Sequence, residues 1–148
     1  MSTRANIRIK DKDTSLMFYR HHDGYPSGIL PSLFEFMRWV VAGKIRRDAI
    51  QASGWLIILG HREGVTKLEA DGPTSWSVGE YEPTTDLHGD IEWFYDLDLD
   101  EAKITAYKRY GDLGNLDTGQ AIEQVMREHG VYTEFSKETL EKVRQEET

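Results

Sequence analysis

The side chains best suited to chemistry are concentrated in residues 19–29, whose sequence is YRHHDGYPSGI. Arg20 carries a planar guanidinium that can grip a carboxylate or a phosphate, and His22 has a side chain that titrates near neutral pH. Two tyrosines would form the walls of such a site, and a carboxylate stands beside the histidine. The candidate ligand-binding residues are therefore Tyr19, Arg20, His22, Asp23 and Tyr25, joined by Arg4 from the first predicted strand.

The same segment is rich in turn-forming residues, which explain most of it without a ligand. Gly24 is predicted to supply a positive φ angle, Pro26 to stiffen the chain and Asp23 to accept hydrogen bonds from nearby backbone N–H groups. Tyr25 is predicted to pack on the helix that follows. We favour this structural interpretation over catalysis and assign no catalytic residue, although it leaves the arginine and the second histidine unexplained.

The acidic residues do not complete a calcium-binding motif. Asp96, Asp98 and Asp100 have the opening spacing of an EF-hand loop, but Glu101 replaces the required glycine and Tyr107 the bidentate glutamate. We therefore expect the three aspartates to line a solvated strand face, offset by basic residues of the next strand.

Other cofactor motifs are incomplete as well. The His22-Asp23 doublet is used by metal-dependent HD phosphohydrolases on a helix, whereas the residues that follow it here, Gly24-Tyr25-Pro26, argue against a helix. No pair of histidines has a recognised ligand spacing, and no glycine-rich stretch matches a phosphate-binding loop. We predict neither a metal nor a cofactor.

Composition indicates a single globular domain spanning residues 1–148. A chain of 148 residues with 39% hydrophobic residues can bury a real core, and the absence of cysteine excludes disulfides and thiolate sites. No apolar run approaches the ~20 residues that cross a bilayer. We therefore predict no membrane association and a cytoplasmic location.

Charge is unevenly distributed along the chain. The net charge is −8, but residues 1–50 carry nine Lys and Arg against five Asp and Glu, whereas residues 51–148 carry nine against twenty-one. General nucleic-acid binding requires a basic surface and is disfavoured by this total. The asymmetry leaves room for a local basic patch and for an acidic face that meets a basic partner.

Alternating apolar residues predict two β-hairpins. The first joins residues 4–10 to residues 16–20, and the second joins residues 91–97 to residues 104–109 through a turn at Asp98.

Helical periodicity follows the first hairpin. Ser32 and Glu35 have capping-box spacing at the start of a helix that Gly43 would end. Asp48 is predicted to cap a second helix, in which the run WLIIL at residues 55–59 fits either a helix or a buried strand. Further helices are predicted at residues 117–130 and from Ser136 onward. With an extra strand at residues 76–81, these elements predict an α+β fold: a mainly antiparallel sheet with helices packed on one face.

Two stretches together resemble a known group of proteins. Met1-Ser2-Thr3-Arg4, followed by Tyr19-Arg20-x-x-Asp23-Gly24-Tyr25-Pro26-Ser27-Gly28, resembles a family of small uncharacterised bacterial and phage proteins that begin M-[GS]-T-R and carry Y-R-x-x-D-G-Y-P-S-G before a helix. The resemblance implies a phage or prophage setting, in which the cytoplasm would be that of the host, and pairing of the Arg4 segment with the Arg20 loop. It brings no catalytic residues, because no activity is established for the family.

Two functions follow from the sequence. The first is a non-enzymatic accessory protein that binds a host or viral macromolecule, with a protein as the expected partner. The alternative is a small enzyme or binder for a phosphate-bearing ligand, in which Arg4 and Arg20 contact the anion and His22 or Asp23 acts as acid or base. Homo-oligomerisation is left open.

Overall fold

The computed structural model describes residues 3–63, 80–108, 130–132 and 134–146. Its strands are β1 (Ala5–Lys10), β2 (Ser15–Arg20), β3 (Glu82–Thr84), β4 (Trp93–Asp98), β5 (Lys103–Lys108) and β6 (Gly130–Tyr132), and its helices are α1 (Pro26–Val41), α2 (Ala49–Glu63) and α3 (Lys137–Glu146). None of these three helices has the length and apolar character needed to cross a membrane.

The described strands form one mixed sheet in the order β3-β2-β1-β4-β5-β6. Strand β1 lies parallel to β4, in a register that places Ile7 opposite Tyr95, and the other neighbouring strands are antiparallel. Both predicted hairpins are present, as β1–β2 and β4–β5. The sequence predictions did not include the parallel contact that joins the two hairpins at the centre of the sheet.

The helices bury their apolar residues against one side of this sheet. Ala5, Ile7 and Ile9 alternate toward that side of β1 and are fully buried in a core that they share with Leu33 of α1 and Leu56 of α2. Each large aliphatic side chain buried in this way contributes about 1.5–3 kcal/mol. A smaller buried cluster on the opposite side of the sheet contains Tyr19, Ile91, Phe94 and Tyr107.

Helix α1 begins at Pro26, so the predicted start at Ser32 is wrong. Tyr25 occupies the N-cap position without a side-chain hydrogen bond. Proline suits the first helical position because its φ angle is already helical and its missing N–H would have no partner there. Ser32 lies buried inside the helix, where its Oγ accepts a hydrogen bond of 2.7 Å from the hydroxyl of Tyr81. Gly43, with φ 76°, follows the end of the helix as predicted.

Two carboxylates hold the start of α2. Asp48 accepts a hydrogen bond from the Ile50 N–H at 2.9 Å, which confirms the predicted cap. Asp11, in the β1–β2 turn, accepts a second hydrogen bond from the Ala49 N–H at 2.8 Å and so ties the hairpin to the helix. Residues 55–59 are helical, which resolves the alternative between helix and strand.

The loop before α1 depends on close packing more than on glycine's conformational freedom. The positive φ angle belongs to Asp23 (55°), so its assignment to Gly24 is wrong. Gly24 instead donates its N–H to the Thr3 carbonyl at 2.9 Å, and a Cβ at this position would lie 2.8 Å from both that oxygen and the Ala5 Cβ. At Gly28 a Cβ would lie 2.7 Å from the Asp23 carbonyl oxygen.

The acidic alternation in β4 does not form a solvated face as expected. Asp96 is only 5% exposed, and both of its oxygens accept hydrogen bonds from Arg8, at 2.8 and 2.9 Å. Lys10 adds an ion pair at 3.2 Å. In the described part of the chain, the cations that pair with Asp96 therefore come from parallel β1, whereas Arg109, one of the basic residues expected to offset the aspartates, lies outside the described residues. The hydrogen bond to the carboxylate raises the pKa of Arg8. Asp98 confirms its predicted turn by accepting the Asp100 N–H at 3.0 Å.

The remaining predictions concern the sheet edges and the last helix. The described residues leave out most of the strand predicted at residues 76–81 and nearly all of the helix predicted at residues 117–130. Strand β3 directly follows the first of these regions, and β6 was not predicted. Ser136 caps α3 as expected, since its hydroxyl accepts the Thr139 N–H at 3.3 Å.

Candidate functional site

Arg20, which turn chemistry left unexplained, has a structural role. It is 8% exposed on the helix side of the sheet, and its Nε donates a hydrogen bond of 2.8 Å to the His22 carbonyl. Its Nη2 lies 3.5 Å from the carboxylate of Glu80, and its guanidinium carbon lies 5.4 Å from the centre of the Tyr81 ring. These contacts fasten the segment that precedes β3 onto β2 and the loop before α1.

A small cleft of about 130 Å³ opens beside this arginine. Its walls are Arg20, Gly28, Pro31, Ser32, Gly60 and Glu80. An anion inside it would meet the carboxylate of Glu80 together with the guanidinium, so the cleft offers no net positive charge to a phosphate.

Arg4 and Tyr19 belong to a different group on the opposite side of the sheet. Arg4 forms an ion pair with Asp90 at 3.4 Å. The Tyr19 hydroxyl is hydrogen-bonded to Nδ1 of His21 at 2.9 Å, and its ring stacks on His88 with 4.0 Å between centroids. Burial, reinforced by the Asp90 carboxylate, raises the pKa of Tyr19 and keeps the phenol protonated. The sheet therefore separates this group from Arg20.

The other predicted site residues lie at the surface. The exposed imidazole of His22 stands edge-on to His21, with 4.5 Å between ring centroids. Asp23 is exposed, and Tyr25 lies partly exposed against Gly28 of α1, in line with its predicted packing. The six predicted residues do not converge on one pocket. Among the residues that the structure describes, no group of three or more histidine or acidic side chains is placed to hold a metal ion.

A feature that the sequence interpretation missed lies on α2. This helix is apolar on nearly all sides. One stripe, which includes Ala49, Ala52, Leu56 and Leu59, is buried in the core. Large apolar side chains outside that stripe remain exposed, and we call them the α2 apolar face: Ile50 (65% exposed), Trp55 (43%), Ile57 (41%) and Ile58 (54%). A helix that is hydrophobic all round is normally covered on more than one side.

A groove adjoins this face where α2 meets the end of α1. Trp39, Lys44, Ile45 and Trp55 line a mostly apolar volume of about 190 Å³, which we call the tryptophan groove. Val41, the last residue of α1, is also exposed, at 53%. Exposed apolar side chains that border a groove are typical of binding surfaces.

The sequence did contain a signal for this surface. Five consecutive apolar residues at 55–59 cannot all lie on one face of a helix, because successive residues are rotated by about 100°. Once the run is known to be helical, some of its side chains must point away from the core.

Comparison of the chain with protein families, characterised proteins and solved structures finds no match in any of the three.

Proposed function

We propose that this protein is a non-enzymatic protein-binding module whose contact surface is the α2 apolar face together with the tryptophan groove. The observation that carries the proposal is the exposure of Trp55 and Ile58 on a helix whose opposite side is already packed in the core. The resemblance to phage proteins makes a host or viral protein the expected partner.

The composition of the surface supports this proposal. Tryptophan is enriched among the residues that contribute most to protein–protein binding, and such residues sit in well-packed pockets surrounded by less important contacts. Trp55 borders the groove, and Ile58, one turn further along the helix, extends the apolar area. An amphipathic helix of a partner laid on a groove is a recurrent form of recognition for such surfaces.

The arrangement of the predicted anion contacts favours binding of a protein over catalysis on a phosphate. Arg4 and Arg20 lie on opposite sides of the sheet, and each is paired with a carboxylate, of Asp90 and of Glu80. A single phosphate cannot contact both guanidinium groups in this arrangement. The first of the two functions expected from the sequence is therefore the better supported.

Site-specific photo-cross-linking tests the proposal. A photoreactive amino acid at position 58 should yield a discrete protein adduct in a bacterial host, and Trp55→Ala should abolish that adduct. The same amino acid at position 142, an exposed position on α3, is the matched control and should yield no such adduct. Equal adducts at both positions, no adduct at position 58, or an adduct that survives Trp55→Ala would contradict the proposal.

A further inference from the structure

We propose that the occupant of the tryptophan groove is an acidic amphipathic helix, which inserts an apolar side chain between Trp39 and Trp55 and places its carboxylates on the connection between α1 and α2. This inference rests on the proposed function and names the class of partner. It follows from the charge that surrounds the groove, which differs in sign from that of the chain as a whole.

The connection between the two helices is basic. The sequence of residues 44–47 is KIRR, and Lys44, Arg46 and Arg47 are all exposed. Lys44 lines the groove itself, and Ile45 anchors the connection because it is buried against the core. The basic side chains therefore stand at the edge of the apolar volume.

These cations are not neutralised by the described part of the chain. Within it, no carboxylate lies within ion-pair distance of Lys44 or Arg46, and Arg47 donates a hydrogen bond of 3.2 Å to the backbone carbonyl of Asp100. The next acidic residue along the chain, Asp48, caps α2 through the Ile50 N–H. A local positive charge thus borders an apolar groove on a protein of net charge −8.

Charge complementarity selects the partner. An acidic segment would be attracted to residues 44–47, whereas a basic segment would be repelled. The volume of about 190 Å³ suits one or two apolar side chains, as an amphipathic helix supplies from one face. A symmetric dimer through this face is less favourable, because each copy would present the same surface to the other, and the described residues that line the groove include no carboxylate to pair with the basic side chains.

A matched pair of peptides tests the inference. The probes are two fluorescein-labelled amphipathic helices with identical leucine and tryptophan positions, one with glutamate and one with lysine on its polar face. We expect the full chain to bind the glutamate peptide at least about tenfold more tightly, with the difference shrinking as salt is raised.

The variant Lys44→Glu/Arg46→Glu should weaken binding of the glutamate peptide by about tenfold or more and improve binding of the lysine peptide. Lys137→Glu/Lys142→Glu makes the same change in net charge on exposed positions of α3 and should change either affinity by less than about twofold. Circular dichroism spectra identical to that of the unmodified chain would confirm that both variants are folded.

Each other outcome has a distinct meaning. Equal affinities for the two peptides, both lost in Trp55→Ala, would overturn the acidic partner and leave the proposed function intact. If neither peptide binds, the proposal of an acidic helical partner is wrong. The proposed function is tested separately, by the cross-linking at position 58. A concentration-dependent dimer in sedimentation that Ile58→Asp abolishes would identify a second copy as the occupant and overturn the inference.

Discussion

The same substitution at two glycines should have opposite effects on stability. At Gly24, an added Cβ would lie 2.8 Å from the Thr3 carbonyl oxygen and 2.8 Å from the Ala5 Cβ. Both are fixed: the carbonyl is backbone, and Ala5 is fully buried in β1. The Gly24 carbonyl also accepts a hydrogen bond of 2.7 Å from the buried hydroxyl of Tyr95, so any shift of the loop disturbs a second buried contact.

We therefore expect Gly24→Ala to lower the free energy of unfolding by about 1–3 kcal/mol, the usual cost of overpacking. Gly54 is the matched control, because it is exposed in the middle of α2 and an added Cβ would meet nothing within 4 Å. Gly54→Ala should raise the free energy of unfolding by about 0.5–1 kcal/mol through helix propensity. Urea denaturation of both variants measures the two changes. A Gly24→Ala variant as stable as the unmodified chain would refute the conclusion that this loop is a tightly packed junction.

Two further predictions concern carboxylates. The hydrogen bond from the Ala49 N–H, and to a lesser degree that from the Asp13 N–H, lowers the pKa of Asp11. The ionised carboxylate therefore stabilises the fold fully above its ordinary pKa, and this stabilisation is lost as the pH falls through the lowered value. Asp11→Asn should accordingly flatten the acid dependence of the unfolding free energy between about pH 5 and pH 2, and a curve parallel to that of the unmodified chain would count against this. Asp96→Ala should destabilise the fold by about 2–3 kcal/mol because it leaves Arg8 partly buried without its carboxylate, and thermal unfolding that shows no change would disprove this role.

The elements that the sequence predicts correctly are those formed by residues close to one another in the chain. The two hairpins and the caps at Asp48 and Ser136 depend on residues close in the chain, and the structure confirms them. The parallel pairing of β1 with β4 depends on contacts between residues about 88 apart, as in the bond between Arg8 and Asp96, and no local pattern encodes it.

The start of α1 was mispredicted because two local signals compete there. Pro26 and Gly28 are typical of turns, whereas proline is also favoured at the first position of a helix. The helix extends through them because Ile29 and Leu30 can then be fully buried in the core, a tertiary contribution that local propensity does not report.

The proposed contact surface lies apart from the residues that the sequence singled out, for a related reason. The sequence shows no local partner for Arg20, because Glu80, with which it forms an ion pair, lies far along the chain and is brought close only by the fold. The residue types of the α2 apolar face do not by themselves indicate an exposed surface, since isoleucine and tryptophan commonly lie in protein cores. The apolar run at residues 55–59 indicates that some of its side chains point away from the core once it is helical. Which of them are exposed depends on how the helix is rotated against the sheet.

The most direct test of the central claim is the stability of variants on α2. If the α2 apolar face serves a partner, Ile50→Glu and Ile58→Glu should each change the free energy of unfolding by less than about 0.5 kcal/mol, as surface substitutions do. Leu56→Ala, on the buried stripe of the same helix, should cost about 2–5 kcal/mol and calibrates the measurement. Losses of about 2 kcal/mol or more for the two isoleucine variants would show that the chain needs this face for its own folding, and would contradict the proposal.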